Sequence, residues 1–258
     1  MFDPFGDFES AGYLRNIERL KDPEEVKVQE HLFFEANIEQ ALNYLAGIRG
    51  RIGYANFLQV HRILFAEFYP WAGHDRHALG VGRLVGKGER LQFEASELCQ
   101  RAVEWGLGMG NDRTTMRVRP GAVMGAFAWA HPFLDCNGRT MLLVHSELCH
   151  RAGISIDWPV TRKADYLQVL TQELLRPQDQ PLDAYLRPFV AAATDGGTLL
   201  EQLVALPGLD GRGGGAGPAM DVAYAADDPQ ANAGYLDMKR SRGEPERPRQ
   251  GEPTAGSP

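Results

Sequence analysis

Cysteine is scarce in this chain: Cys99, Cys136 and Cys149 are the only three in 258 residues. An odd and scattered set builds no disulfide framework, so a reducing cytoplasm is the expected setting. Basic residues are also in short supply. Lys and Arg total 27 against 34 Asp and Glu, giving a net charge of −7. With no long Lys/Arg stripe, this excludes a protein built to coat nucleic acid. No run approaches the ~18 consecutive apolar residues of a membrane span. The opening Met1-Phe2-Asp3-Pro4-Phe5-Gly6-Asp7 has neither the basic start nor the apolar core of a secretory signal. Complete metal-ligand spacings are missing: His74 with His77, and His145 with Cys149 and His150, each fall short of four ligands. A dinucleotide fingerprint is missing too, because Gly80-Val81-Gly82 leads into no helical pattern.

What the chain does have is helical periodicity. Residues 1–19 read as an ordered arm with Tyr13, Leu14 and Ile17 available to a core. Asp22-Pro23-Glu24-Glu25 supplies a cap, a proline at the first helical position and acids in the first turn, predicting a helix to about Ala46. A second helix is expected from Tyr54 to Phe68, with Phe57, Val60, Ile63, Leu64 and Phe68 as its apolar stripe. Glycines at 80, 82, 86 and 88 then forbid a helix, and the text around Gly86-Lys87-Gly88 predicts a small hairpin. Helices follow over residues 94–107 and 119–130, the latter apolar almost all round and so central to the core. Lys163 to Leu175, Leu182 to Ala193 and Thr198 to Leu206 complete the helical reading, after a short extended piece at 154–158. From 207 to 258 the composition turns to Gly, Pro, Ala and mixed charge. Tyr224 and Tyr235 show no period, so this tail is expected to be disordered.

The densest chemistry lies in His131-Pro132-Phe133-Leu134-Asp135-Cys136-Asn137-Gly138-Arg139. A helix-like run follows to Ala152, so Asn137 and Gly138 stand where a helix begins. Exposed N–H groups and the helix dipole make that end an anion site. Pro132 disfavours helical geometry at His131 and leaves the imidazole at a helix-to-loop break. Phe133 reads as a core anchor. Asp135 reads either as a helix cap or as a hard-oxygen ligand for a phosphate-bound Mg2+. Arg139 beside the turn suits phosphate oxygens. The Cys136 thiol reads as a filler, its backbone N–H remaining available to the anion.

This string resembles the signature of the Fic family, His-x-Phe-x-Asp/Glu-Gly-Asn-Gly-Arg-x-x-Arg. The phrase Tyr69-Pro70-Trp71-Ala72-Gly73, with Arg76 after it, is similar to a second family element, Phe/Tyr-x-Trp-Ala-Gly followed by a basic residue. Cys136 departs from the usual small residue, and Leu142 stands where the family has its second arginine.

The resemblance implies an all-α fold: a Fic-type helical bundle over residues 1–206 with a β-hairpin flap, ahead of the tail. It implies transfer of AMP from ATP to a Ser, Thr or Tyr hydroxyl of a target protein. His131 would be the general base and Asp135 would hold Mg2+. Cys136, Asn137, Gly138 and Arg139 would cradle the phosphates, and the flap residues Arg83, Leu84, Val85, Gly86, Lys87, Gly88 and Phe93 would dock the target as an added strand. With leucine at 142, donor binding would draw on Arg83, Lys87 or Arg90, or the donor would be another nucleotide, a phosphate or a phosphocholine; a fold retired to protein binding is the remaining alternative. Members of the family are commonly inhibited by a glutamate that grips the second arginine. The closest internal text, around Glu35, lacks both flanking positions, so Glu35 reads as a solvated charge and a separate antitoxin as the expected inhibitor of a toxin-like enzyme.

Overall fold

The computed structural model describes residues 3–88, 91–193, 196–204, 206, 222–225 and 228–244. The long helix α2 (Pro23–Ala46) follows a short α1 (Phe8–Ala11). The Asp22 carboxylate accepts from the N–H groups of Glu24 and Glu25 and caps α2 as its sequence requires. Its buried stripe is Val26, Glu30, Phe34, Ile38, Ala41 and Leu45. α3 (Tyr54–Phe65) packs along it, and α4 (Arg76–Leu79) is a single turn after the Trp-Ala-Gly phrase. Next come α5 (Ser96–Gly110), α6 (Arg113–Val118), α7 (Pro120–Ala130) and α8 (Asn137–Ala152). As its composition demands, α7 is buried on nearly every face, between α5, α8 and the later helices. The N-terminal arm docks through Tyr13 and Leu14, with the Trp71 indole N–H donating to the Leu14 carbonyl at 2.6 Å, while Ile17 stays half exposed.

After α8, β3 (Ile154–Ile156) leads to α9 (Lys163–Leu175), α10 (Pro181–Leu186), β4 (Val190–Ala192) and α11 (Gly196–Val204). The helix expected from Leu182 to Ala193 is therefore cut short. Pro188 removes a backbone donor, and the chain turns out to pair β4 antiparallel with β3. Where α10 meets α7 the backbones nearly touch. Asp183 accepts from the N–H groups of Gly121, at 2.7 Å, and Ala122, and pairs with Arg119 at 2.5 Å, serving as a cap supplied from another helix. A Cβ at Gly121 would stand 2.3 Å from the Asp183 backbone nitrogen. Since backbone cannot swing aside, Gly121→Ala is expected to remove about 3 kcal/mol of stability, read as the shift in urea midpoint; an unchanged midpoint would contradict this packing.

The expected hairpin is present as β1 (Leu84–Lys87) paired with β2 (Leu91–Gln92), but it supplies only two strands of a three-stranded sheet. The other edge of β1 carries β5 (Val222–Ala225), and α12 (Pro229–Ser241) packs over both strands of the hairpin. These pieces correct the expectation of a disordered tail, whose remaining residues, 207–221, 226–227 and 245–258, lie outside the described ones. Two aromatic residues without a period proved sufficient because each enters a prepared polar socket. The Tyr235 hydroxyl donates to the Glu94 carboxylate, and the Tyr224 hydroxyl donates to the Leu134 carbonyl. Lys239 adds an ion pair to Glu94 at 3.1 Å, and the Arg242 guanidinium lies 4.0 Å over the Trp129 ring.

Candidate active site

His131 ends α7 in the left-handed conformation, φ 40°, which is uncommon for a non-glycine residue, and Pro132 keeps the helix from continuing. Its ring is half-buried and stacks on Phe93, centroids 4.0 Å apart. Burial, followed by the positive charges of Arg76 and Lys87, holds its pKa well below the usual histidine range. The imidazole is therefore neutral at pH 7, the form that accepts a proton.

The loop from 131 to 136 is held from behind by groups the sequence motif does not contain. Arg76 is fully buried and directs its side chain at four carbonyls: His131 and Glu94, each at 2.8 Å, Arg83 at 3.3 Å, and Gly82. One guanidinium thus joins the loop to the base of the flap. His61, also fully buried, stacks on Phe133 at 3.8 Å. Its Nδ1 accepts from the Gly73 N–H at 2.9 Å, which leaves the proton on Nε2 to face the Asp135 carbonyl at 3.3 Å. Burial lowers its pKa to about 3, so it is a neutral positioning residue. The Asn137 side chain exchanges two hydrogen bonds with the Phe133 backbone, at 2.9 and 2.8 Å. It pins the loop, so its contribution to an anion site is its own N–H at the first turn of α8.

Two of the expected phosphate contacts are engaged internally. The Cys136 N–H donates to the Asp135 carboxylate at 2.6 Å, and Cys136 itself is left-handed, φ 62°, which accounts for a glycine being the easier residue there. Arg139 is paired at 2.6 Å with Glu30 from α2, whose other oxygen accepts from the Tyr69 hydroxyl and lies 3.5 Å from the Cys136 thiol. Glu35, which the sequence offered as the nearest candidate for an inhibitory carboxylate, lies on the exposed side of α2 within 3.6 Å of His31. Glu30 was readable in principle. It occupies an otherwise apolar stripe at the four-residue spacing Val26, Glu30, Phe34, Ile38, and a carboxylate there must find a cation.

Asp135 is partly buried, and burial together with the Glu30 charge pushes its pKa up to about 7, against the opposing pull of Arg139. Among the described residues, Glu30, Asp135 and Cys136 form the cluster able to surround a metal, their ligand atoms all within 4.8 Å of one another. Two carboxylates suit a hard cation such as Mg2+, whereas the thiol does not. Leu142 is buried in the core one turn into α8, so no charge replaces the missing arginine at that position. Of the substitutes considered for it, Arg83 is committed to Glu97 and Asn232, at 3.0 and 3.1 Å, and Arg90 lies outside the described residues.

The helical bundle thus presents a histidine, a carboxylate and a helix N-terminus on one loop. Residues 52–149 match the family model described as Fic/DOC family. The chain is similar to the protein adenylyltransferase VbhT of Bartonella schoenbuchensis, 29% identical over 158 residues, which are 60% of this chain and 32% of that protein. It is also similar to the probable protein adenylyltransferase y4lH of Sinorhizobium fredii, 28% identical over 56% of this chain and 74% of the relative. The chain thus spans about a third of the first relative's length. Among solved structures the fold is shared with the BepC protein of Bartonella tribocorum bound to AMPPNP, TM-score 0.55 at 18% identity, covering 69% of this chain and 92% of that one. It is shared as well with the Fic domain of a Bartonella quintana effector bound to ADP, TM-score 0.55 at 21% identity, covering 74% and 95%. Among the described residues no helix is long and apolar enough to cross a membrane.

Proposed function

We propose that this domain transfers AMP from ATP to a hydroxyl of a target protein. The observation that carries the reading is the neutral His131 imidazole fixed on the loop that opens α8. The target hydroxyl gives its proton to His131 as its oxygen attacks the α-phosphorus in line, and pyrophosphate leaves. The first-turn N–H groups of Asn137 and Gly138 face phosphate oxygens, with no intrahelical partner to claim them. Arg139 joins them on release from Glu30. Asp135 would hold Mg2+, which would neutralise charge on the phosphates, with Glu30 near enough to contribute. The nucleotides bound by the solved relatives and the adenylyltransferase names of the curated ones support the same donor class.

The test is incubation of the protein with Mg2+, ATP labelled at the α-phosphate and a cell lysate, beside Leu142→Arg. Labelled protein bands support AMP transfer. Label with Leu142→Arg alone would mean that the natural donor is not ATP, the reading favoured by an uncharged, buried residue 142. A lysate without the cognate target gives no bands in either, so binding of ATP and of other nucleotides is measured alongside.

The raised pKa of Asp135 makes the metal step pH-dependent. A ligand must be ionised, so Mg2+ affinity is expected to rise about tenfold per pH unit up to pH 7 and to level off above it. The sign for stability is opposite. A carboxyl whose pKa is raised on folding favours the folded state when protonated, so its contribution declines from about pH 4 to about pH 7. Mg2+ titrations at pH 6, 7 and 8 check the first statement. Melting curves of Asp135→Asn, which should lose that pH dependence, check the second.

A further inference from the structure

The site is covered by a strand from far along the chain. β5 runs antiparallel to β1 in the register Leu84 with Ala225, Val85 with Tyr224, Gly86 with Ala223 and Lys87 with Val222. It therefore takes the full length of the edge that β2 leaves open, as β2 pairs over only two residues of β1 on the other side. The strand that β5 covers is tied to the site from its opposite edge. The Phe93 N–H donates to the Val85 carbonyl at 2.9 Å, and Phe93 carries His131 on its ring. Tyr224 reaches from β5 beneath the flap, its ring packed against Gly82 so closely that a Cβ there would come within 2.9 Å of it. Its hydroxyl donates to the Leu134 carbonyl, in the residue next to Asp135.

From this arrangement we infer that β5 is an intramolecular stand-in for the target: it holds the docking edge of the flap, and Tyr224 plugs the space beneath. The inference rests on the proposed function for what the edge would otherwise receive, an extended segment of the target added as the third strand in place of β5. Three observations favour a replaceable occupant over a permanent part of the fold. The side chains flanking Tyr224 are the small alanines 223 and 225, which bury little, so Tyr224 is the one large side chain among residues 223–225 that holds the strand beside its backbone pairing. Backbone pairing is indifferent to sequence and open to any strand of suitable shape. Finally, β5 lies outside the segment 52–149 that defines the family domain. α12 keeps the occupant close through Asn232, Tyr235 and Lys239, so displacement of β5 need not detach the tail.

The experiment uses the full chain and a fluorescent synthetic peptide with the sequence of residues 219–228, measured by anisotropy without nucleotide. Tyr224→Ala should bind the peptide at least tenfold more tightly than the unaltered chain. Amide exchange of residues 84–87 should accelerate in the variant, while that of α7 and α8 stays unchanged, which separates release of β5 from misfolding. A second variant, Gly86→Cys with Ala223→Cys, joins directly opposed positions and should abolish peptide binding until reductant is added. Equal peptide binding by the unaltered chain and Tyr224→Ala, or no binding by either, overturns the inference. AMP found on Tyr224 by mass spectrometry after incubation with ATP and Mg2+ would also overturn it, since the strand would then be a substrate. If Tyr224→Ala binds the peptide and no variant transfers AMP, the occupied edge stands and the proposed reaction falls.

Discussion

His131→Ala should lower AMP transfer by a factor of about 10³ while leaving nucleotide affinity within about twofold, because in the proposed reaction the imidazole takes a proton and does not hold the donor. The magnitude follows from what a positioned general base contributes, typically 10²–10⁴. Its neutrality at pH 7 gives the effect its direction, as burial and the charges of Arg76 and Lys87 hold the imidazole in its acceptor form. The ring is a lid over Phe93 and not a member of the core, so the variant should melt within a few degrees of the unaltered protein. Transfer at an undiminished rate would remove His131 from the chemistry. A parallel loss of nucleotide binding would move it to a binding role.

Glu30→Gln should raise nucleotide affinity about tenfold or more and lower the melting temperature at the same time. The Glu30 carboxylate holds Arg139 at 2.6 Å in the way a phosphate would, with Tyr69 supporting it, so a nucleotide must first break a buried ion pair. Glutamine keeps the shape and some of the hydrogen bonding but surrenders the charge. Arg139 is then left partly uncompensated, at a loss of about 1–3 kcal/mol, and is correspondingly freer to take an anion. Opposite changes in the two measurements, by isothermal titration and by calorimetric melting, distinguish a blocking glutamate from one that helps to bind metal. If Glu30 served mainly beside Asp135 as a Mg2+ ligand, both quantities would fall.

Much of the bundle was legible because its elements announce themselves locally. The Asp22-Pro23 start of α2, the all-apolar α7 and the Gly153 stop of α8 follow from caps, periodicity and a left-handed glycine. The histidine, the carboxylate and the helix start of the site were legible for the same reason, being nine consecutive residues. What was hidden depends on residues distant in sequence. Arg76 is a lone basic residue until four carbonyls converge on it, and His61 is an ordinary member of a helix stripe until Phe133 stacks on its face. Glu30 reads as a solvated charge unless its position in the buried stripe is noticed. β5 and α12 failed the test of composition because a low apolar content normally leaves a segment unfolded. Here the partner surface was already built, and two tyrosines, a lysine and an arginine sufficed to hold them.

The ladder between residues 84–87 and 222–225 also sets an order of assembly during synthesis. The contacts among α3, α5, α7 and α8 join helices near one another in sequence, and such local structure forms early as a chain leaves the ribosome. Closure of β1 with β5 spans most of the chain and waits for residues made long afterwards. A nascent molecule thus has its histidine loop in place while the flap edge is still bare. For that interval, the newborn chain is the least guarded form of the protein.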